Sequence, residues 1–161
     1  MKLYAGIGLA IVAVVLGLTL WSNQGSRLIL EGTIQKVRIQ RIDESNTAAI
    51  VEFRLDNPAD FPFTVKSVEL MVEWDKGAKR HGEVFRQSDL GRFFDYYKAT
   101  LGPQYNRSVS IGETYASHTM ADRMVAATFP LPEAELAMRK RIVIRLEASN
   151  GLVPTEIVEK R

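Results

Sequence analysis

The sequence contains no cysteine, and only two of its 161 residues are histidines, His81 and His118. The absence of cysteine excludes disulfide bonds, thiolate metal sites and the lipid-bearing cysteine of a bacterial lipoprotein. A zinc site without cysteine needs three or four histidine or acidic ligands at suitable spacing, and neither HExxH nor an EF-hand loop occurs. We therefore expect no metal and no other cofactor.

Motifs of nucleophilic and nucleotide-dependent catalysis are also missing, since the sequence has no GxSxG, Walker A or GxGxxG pattern. Ser117 directly precedes His118, but neighbours on an extended segment point to opposite faces and cannot share a proton. A hydrolase would need a cleft that gathers acids such as Asp89 and Asp95 beside His81. We therefore predict a protein that is not an enzyme.

Neither sign of charge is in excess. The chain has 21 Lys and Arg against 19 Asp and Glu, a formal net charge of +2, and 20 against 19 remain when Lys2 is set aside. A nearly neutral domain lacks the basic surface that nucleic acids require. We expect no nucleic-acid partner.

One long apolar run is present at residues 3–21, LYAGIGLAIVAVVLGLTLW, and it contains no charged residue. As a helix it would be about 28 Å long, close to the ~30 Å hydrocarbon thickness of a bilayer. Trp21 is the last residue of the run, and tryptophan is enriched at the level of the lipid headgroups. We predict a single transmembrane anchor at residues 1–22, followed by a short polar linker at residues 23–27.

The same run has an alternative interpretation, a cleaved secretory signal peptide, although no small-x-small cleavage site precedes Ser22. The positive charges nearest to the run are almost equal on its two sides, and a wider window slightly favours a cytoplasmic C-terminus, whereas the very short N-terminal tail favours export. We therefore expect the rest of the chain on the periplasmic or extracytoplasmic side. Four small residues fall on one face of the predicted helix, where two anchors could pair as a homodimer: Gly6, Ala10, Ala13 and Gly17.

Strand patterns dominate the remaining sequence. Apolar residues alternate with polar ones at 49–55, 68–74 and 142–146, which is the period of a half-buried strand. In a first strand from residue 28, the apolar positions switch parity near Gln35 and Lys36, which predicts a β-bulge. Weaker strand patterns occupy 83–87, 107–111 and 123–129. About seven short strands predict a β-sandwich at residues 28–148, with a C-terminal tail or short strand at 149–161.

Two segments have helical patterns instead. Apolar residues recur at helical spacing from Leu90 to Leu101, with Ser88 as the predicted N-cap and Gly102-Pro103 as the stop. The second predicted helix covers residues 132–139, with proline in its first turn and basic residues at its end. We expect each helix to lie across an open end or a face of the sandwich.

A short motif joins two of the predicted strands and carries a family resemblance. Asn57-Pro58 ends one strand, Phe61-Pro62 follows, and Ser67 lies in the next strand within a V-x-S-V pattern. This order resembles the LEA-2 or WHy (water stress and hypersensitive response) domain, although Ala59 stands where members commonly have a second asparagine. The local chemistry also predicts a corner here, since asparagine closes turns and proline cannot continue a strand ladder.

The resemblance implies a fibronectin-III-like β-sandwich, which in tethered members follows one N-terminal membrane helix. It also implies a non-enzymatic, protective role in envelope or desiccation stress, exercised through surface contacts with membrane or protein. The alternative function is a membrane-tethered scaffold or assembly factor that binds a specific protein partner. Candidate partner surfaces are the aromatic helix, with Phe94 and Tyr96, and the predicted turn at 75–82, where Lys79 and Arg80 could contact anionic headgroups or phosphate.

Overall fold

The computed structural model describes residues 30–75, 77–149 and 153–160. The strands are β1 (Glu31–Arg41), β2 (Thr47–Asn57), β3 (Phe63–Glu73), β4 (Lys79–His81), β5 (Glu83–Val84), β6 (Thr114–Tyr115), β7 (Thr119–Phe129), β8 (Arg141–Ala148) and β9 (Thr155–Val158). The helices are α1 (Gln87–Tyr96), α2 (Lys98–Leu101) and α3 (Glu133–Ala137). The prediction of a mainly β fold is confirmed.

The predicted anchor at 1–22, the linker at 23–27 and the small-residue face for a homodimer lie outside the described residues. Across residues 30–75, 77–149 and 153–160, none of the helices is long and apolar enough to cross a bilayer.

The strands form two antiparallel sheets in a sandwich-like arrangement. The first sheet has the order β1-β2-β7-β5, and the second has the order β4-β3-β8-β9, with β6 paired to β3. Alternate residues of β2 and β3 point between the sheets, among them Phe53, Leu55 and Leu70, which are fully buried. Burial of this apolar surface between two sheets is the main stabilising contribution to the fold.

The predicted β-bulge in β1 is confirmed. Ile34 pairs with Phe53 and Lys36 pairs with Glu52, so Gln35 is the extra residue of the strand. The additional residue restores the inward direction of the apolar side chains that follow it, which is why Val37 and Ile39 pack against the core.

The first sheet is buried on both faces, because α1 and α2 form a third layer on its outer side. Leu90, Phe94 and Leu101 from the helices pack against outward residues of β2 and β7, including Ile50 and Met124. The helical stripe predicted for residues 90–101 therefore covers a face of the sandwich, as expected. The helix α3 instead inserts Leu136 into the core between the sheets.

Three helical details were predicted incorrectly. Ser88 is inside α1 and not its N-cap. Arg86 occupies that position because the helix begins at Gln87, two residues after Phe85, whose N–H still bonds to Ala126 of β7. The helical segment is broken at Tyr97, so that α1 and α2 are separate helices. The helix predicted at 132–139 is shorter, and Arg139 lies beyond its end in an ion pair with Glu159.

The short edge strands also differ from the predictions. The predicted turn at 75–82 is confined to the residues before Lys79, because residues 79–81 pair with β3 as β4. Residues 107–111 do not form a strand; Ser108 makes a single bridge to Met124, and β6 follows later at Thr114. The C-terminal residues include β9, which pairs with β8. The described part of the chain thus has nine strands, where about seven were predicted.

Two glycines provide a matched test of this packing. A Cβ atom at Gly82 would lie 2.7 Å from Cζ of Phe129 and 2.8 Å from Cβ of Ala127, whereas a Cβ at Gly91, inside α1, would have no atom within 4 Å. We expect Gly82→Ala to lower the free energy of unfolding by about 1–3 kcal/mol through overpacking. Gly91→Ala should raise it by up to about 1 kcal/mol because alanine favours the helix. Urea denaturation measures both, and a destabilised Gly91→Ala variant would contradict the packing of α1.

Candidate functional site

The family-like motif forms the corner at which the chain passes from the first sheet to the second. Asn57 ends β2 and is 1% exposed. Its Oδ1 accepts a hydrogen bond from the Ala59 N–H at 3.3 Å, and its Nδ2 donates to the carbonyl of Phe61 at 2.9 Å. Nδ2 also lies 3.2 Å from the Tyr115 carbonyl and 3.0 Å from the Ala116 carbonyl. One buried amide therefore joins β2, the corner and the chain at the end of β6.

The other motif residues surround this amide without forming a binding pocket. Pro58, Phe61 and Pro62 are exposed, and the prolines end the ladders of β2 and β3 because they have no N–H to donate. Ser67 lies five residues further on, beyond a register shift in β3 between Val65 and Ser67. The structure brings Asn57, Pro58, Phe61 and Pro62 together and leaves Ser67 apart.

Several chain segments meet at this end of the sandwich, which we call the corner end. Glu31 pairs with Asp56, and the N–H of Leu30 donates to Oγ1 of Thr155 at 3.1 Å. Asn57 pairs with Thr119. The described chain therefore enters the fold at the corner end, beside the motif.

The opposite end, which we call the hairpin end, carries Lys79 and Arg80. Both side chains are exposed, and Arg80 Nη1 donates to the Pro130 carbonyl at 3.3 Å. They border a shallow cleft of about 430 Å³ with Trp74, Ala78, Glu135 and Met138. This cleft mixes one indole with charges of both signs, and it holds no set of converging catalytic groups.

The aromatic helix offers a smaller surface than predicted. Phe94 is only 5% exposed, so its assignment to a partner surface is wrong; its ring packs on the outer face of the first sheet. Tyr96 is 81% exposed and stacks edge-on against Tyr97 at 4.8 Å between ring centroids. Phe85, Phe93 and Tyr97 form a half-buried row beside it.

A buried ion pair that sequence analysis missed holds the helical layer to the first sheet. Arg38 of β1 and Glu52 of β2 are both buried, and Nη2 of Arg38 donates to Oε1 of Glu52. Nη1 of Arg38 donates to the carbonyls of Leu101 at 2.7 Å and Pro103 at 3.0 Å. The guanidinium also lies 5.2 Å from the Phe94 ring centroid. The available signal was weak: two opposite charges on adjacent strands, whose register the sequence does not give.

The two histidines lie apart, His81 on β4 and His118 in the turn before β7, and each is beside one carboxylate. His118 Nε2 is 2.9 Å from Asp60 Oδ1, and His81 Nδ1 is 3.6 Å from Glu69 Oε2. Among the described residues, no three His, Asp or Glu side chains are arranged to hold a metal ion. Asp89 and Asp95 lie on α1, in the layer outside the first sheet, while His81 lies on the second sheet.

Two carboxylates with lowered pKa values, Glu73 and Glu113, are engaged by arginines and serve the fold. Arg141 Nε and Nη2 each donate to Glu73 at 3.0 Å, and these bonds hold the pKa of Glu73 below its ordinary value. Burial raises the pKa of Glu113, but hydrogen bonds from Arg123 and from the Ser110 N–H outweigh it, so the pKa is lowered overall. A carboxylate kept ionised in this way is a poor proton donor near neutral pH.

Comparison of the chain with protein-family models, with curated proteins and with solved structures gives no match. The function proposed below is therefore argued from the chain's own residues.

The buried pair provides a test of how the helical layer is attached. Arg38→Met leaves the Glu52 carboxylate buried without its cation, and we expect it to lower the free energy of unfolding by about 3–5 kcal/mol. The double variant Arg38→Met, Glu52→Leu removes both charges and should recover part of that loss, while the carbonyls of Leu101 and Pro103 stay without their donor. Urea denaturation measures both changes.

The matched control is Arg54→Met, which breaks the exposed pair of Arg54 with Asp122. Water solvates the remaining carboxylate there, so we expect a much smaller loss than at Arg38. Equal losses at Arg38 and Arg54, or no recovery in the double variant, would contradict the role of the buried pair.

Proposed function

We propose that this chain is a membrane-anchored, non-catalytic β-sandwich domain of the LEA-2 or WHy type. In this proposal it protects the cell envelope during desiccation or related stress through surface contacts with membrane or protein. The proposal is supported mainly by the arrangement at the corner end. The Asn57-Pro58 and Phe61-Pro62 motif forms the crossing between the two sheets, and β1, the strand that follows the apolar run at 3–21, begins beside this crossing.

The strand order supports the finer fold assignment. The first sheet, β1-β2-β7-β5, corresponds to the A-B-E-D order of immunoglobulin-like sandwiches, and β3-β8-β9 corresponds to C-F-G. The edge strand β4 then takes the place beside C. This correspondence, made with β6 set aside, supports a fibronectin-III-like sandwich to which the helices α1 and α2 are an addition.

The proposed anchor restricts which end of the sandwich faces the bilayer. Residues 22–29 comprise eight residues, which span at most about 28 Å when fully extended. The eleven residues of β3 separate the corner end from the hairpin end by about 36 Å. Because the tether is shorter than the domain, the hairpin end cannot turn toward the same bilayer. Lys79 and Arg80 are therefore poor candidates for contacts with the headgroups of that membrane.

A second candidate function is the tethered scaffold, and the observation that favours it is the exposure of Tyr96 at the end of α1, a helix whose Phe94 is buried against the first sheet. A tyrosine with most of its ring in water is typical of contact surfaces. The matched control is Ile111, which is 75% exposed and lies outside α1 and α2. A discrete protein captured by the full chain but lost in Tyr96→Ser, and retained in Ile111→Ser, would favour the scaffold. A general protectant should lose no such partner.

The anchor itself is tested by fractionation of cells that express the full chain. We expect the protein to stay in the membrane pellet after alkaline carbonate extraction, with residues 1–21 present by N-terminal sequencing, because the apolar run is retained as a transmembrane helix. Added protease should degrade the sandwich from the extracytoplasmic side and spare it in inverted vesicles. A mature chain that begins after Trp21 and is found in the soluble fraction would contradict the proposal.

A further inference from the structure

Three of the large apolar side chains that are exposed in the described part of the chain lie at the corner end. Phe61, in the corner itself, is 53% exposed, Met120 near the start of β7 is 68% exposed, and Val153, before β9, is 62% exposed. Phe61 lies between β2 and β3 and Val153 lies between β8 and β9, and the N–H of Ser149 bonds to the Thr64 carbonyl where β3 and β8 adjoin. Large apolar groups on adjacent loops of a folded domain indicate a surface that another apolar phase covers.

These residues lie beside the point at which the chain enters the fold. Leu30 bonds to Thr155, two residues from Val153, and Glu31 pairs with Asp56, beside the corner that carries Phe61. Met120 also pairs with Asp56. The uncharged run at 3–21 is separated from Leu30 by eight residues, so the bilayer that holds this run would lie within reach of the three side chains.

The charges around the three residues indicate which kind of membrane contact they can make. Glu31 and Asp60 are exposed carboxylates. Nearby, in the part of the chain that the structure describes, Arg54 is paired with Asp122, and Asp60 lies 2.9 Å from Nε2 of His118. A surface with exposed carboxylates and without a cluster of unpaired basic side chains has little electrostatic attraction for anionic headgroups. Its contact with lipid would come from apolar side chains that enter the interfacial region.

We propose that Phe61, Met120 and Val153 form a shallow membrane-insertion surface that seats the corner end on the zwitterionic headgroup region of the bilayer. This inference rests on the proposed anchor, because the anchor places the corner end at the lipid. The insertion fixes the orientation of the sandwich, so that the hairpin end and the aromatic helix project into the aqueous compartment. Interfacial apolar groups of this kind reach about 5–10 Å into the headgroup boundary.

The absence of cysteine makes the test direct, because a single introduced cysteine carries the only spin label. Four variants of the full chain are labelled with a nitroxide and reconstituted in phosphatidylcholine vesicles: Val12→Cys in the apolar run, Phe61→Cys and Val153→Cys at the corner end, and Ala78→Cys at the hairpin end. Collision with oxygen, which is enriched in lipid, is compared with collision with an aqueous nickel chelate.

We expect labels at residues 12, 61 and 153 to favour oxygen, and the label at residue 78 to favour the nickel chelate. If the label at 12 is in lipid while those at 61 and 153 match the label at 78, the insertion surface is refuted and the anchor stands. If the label at 12 is also in water, the anchor and the insertion surface are both refuted. The label at 78 is the matched control for any affinity of the nitroxide itself for lipid.

A change of lipid composition separates insertion from headgroup binding. We expect the corner-end labels to keep their depth in pure phosphatidylcholine at high salt, and added phosphatidylserine to leave that depth unchanged or reduce it. Labels that enter only vesicles with anionic lipid would overturn the inference in favour of electrostatic binding.

Discussion

The side-chain amide of Asn57 contacts four backbone groups at the place where the chain leaves one sheet for the other. Two of these groups belong to the corner, and the other two belong to the end of β6 and the residue after it, far along the chain. Because the amide is buried, its removal would leave polar groups without partners, at about 1–3 kcal/mol for each buried group. The rest of the corner end, including the prolines and the exposed ring of Phe61, depends on this side chain for its shape.

A second constraint is the contact of Arg38 with the helical layer on the outer face of the first sheet. Arg38 ties β1 and β2 to the end of α2, and Phe94 fills the space beneath it. The outer face of the first sheet is thereby closed, while the corner end remains open to a partner. With the proposed anchor and insertion surface, these two constraints divide the molecule into a lipid-facing end and an aqueous part that carries Tyr96, Lys79 and Arg80.

The long strands could be predicted because apolar residues recur at every second position in each of them, and the switch of parity near Gln35 was enough to predict the bulge. The edge strands β4 and β6 could not be predicted, because a strand of two or three residues is too short to show an alternation of apolar and polar residues. Phe94 was assigned to the surface because its covering residues, Ile50 and Met124, lie on strands whose register is tertiary information. The corner at Asn57 could be predicted from its own turn chemistry. Its hydrogen bonds to Tyr115 and Ala116 could not, because no local pattern joins residues so far apart.

The role of Asn57 is tested most directly by amide hydrogen exchange of the full chain in lipid nanodiscs, comparing Asn57→Ala with the parent sequence. We predict the largest increase in exchange rate at residues 59–63 and 115–119, where the hydrogen bonds are lost, and a smaller increase in the centre of β8, which reflects only the lower global stability. The matched control is Asn46→Ala, in the turn at the other end of β2, which should leave the corner protected. Unchanged exchange at residues 59–63 in Asn57→Ala would contradict the central role of this amide.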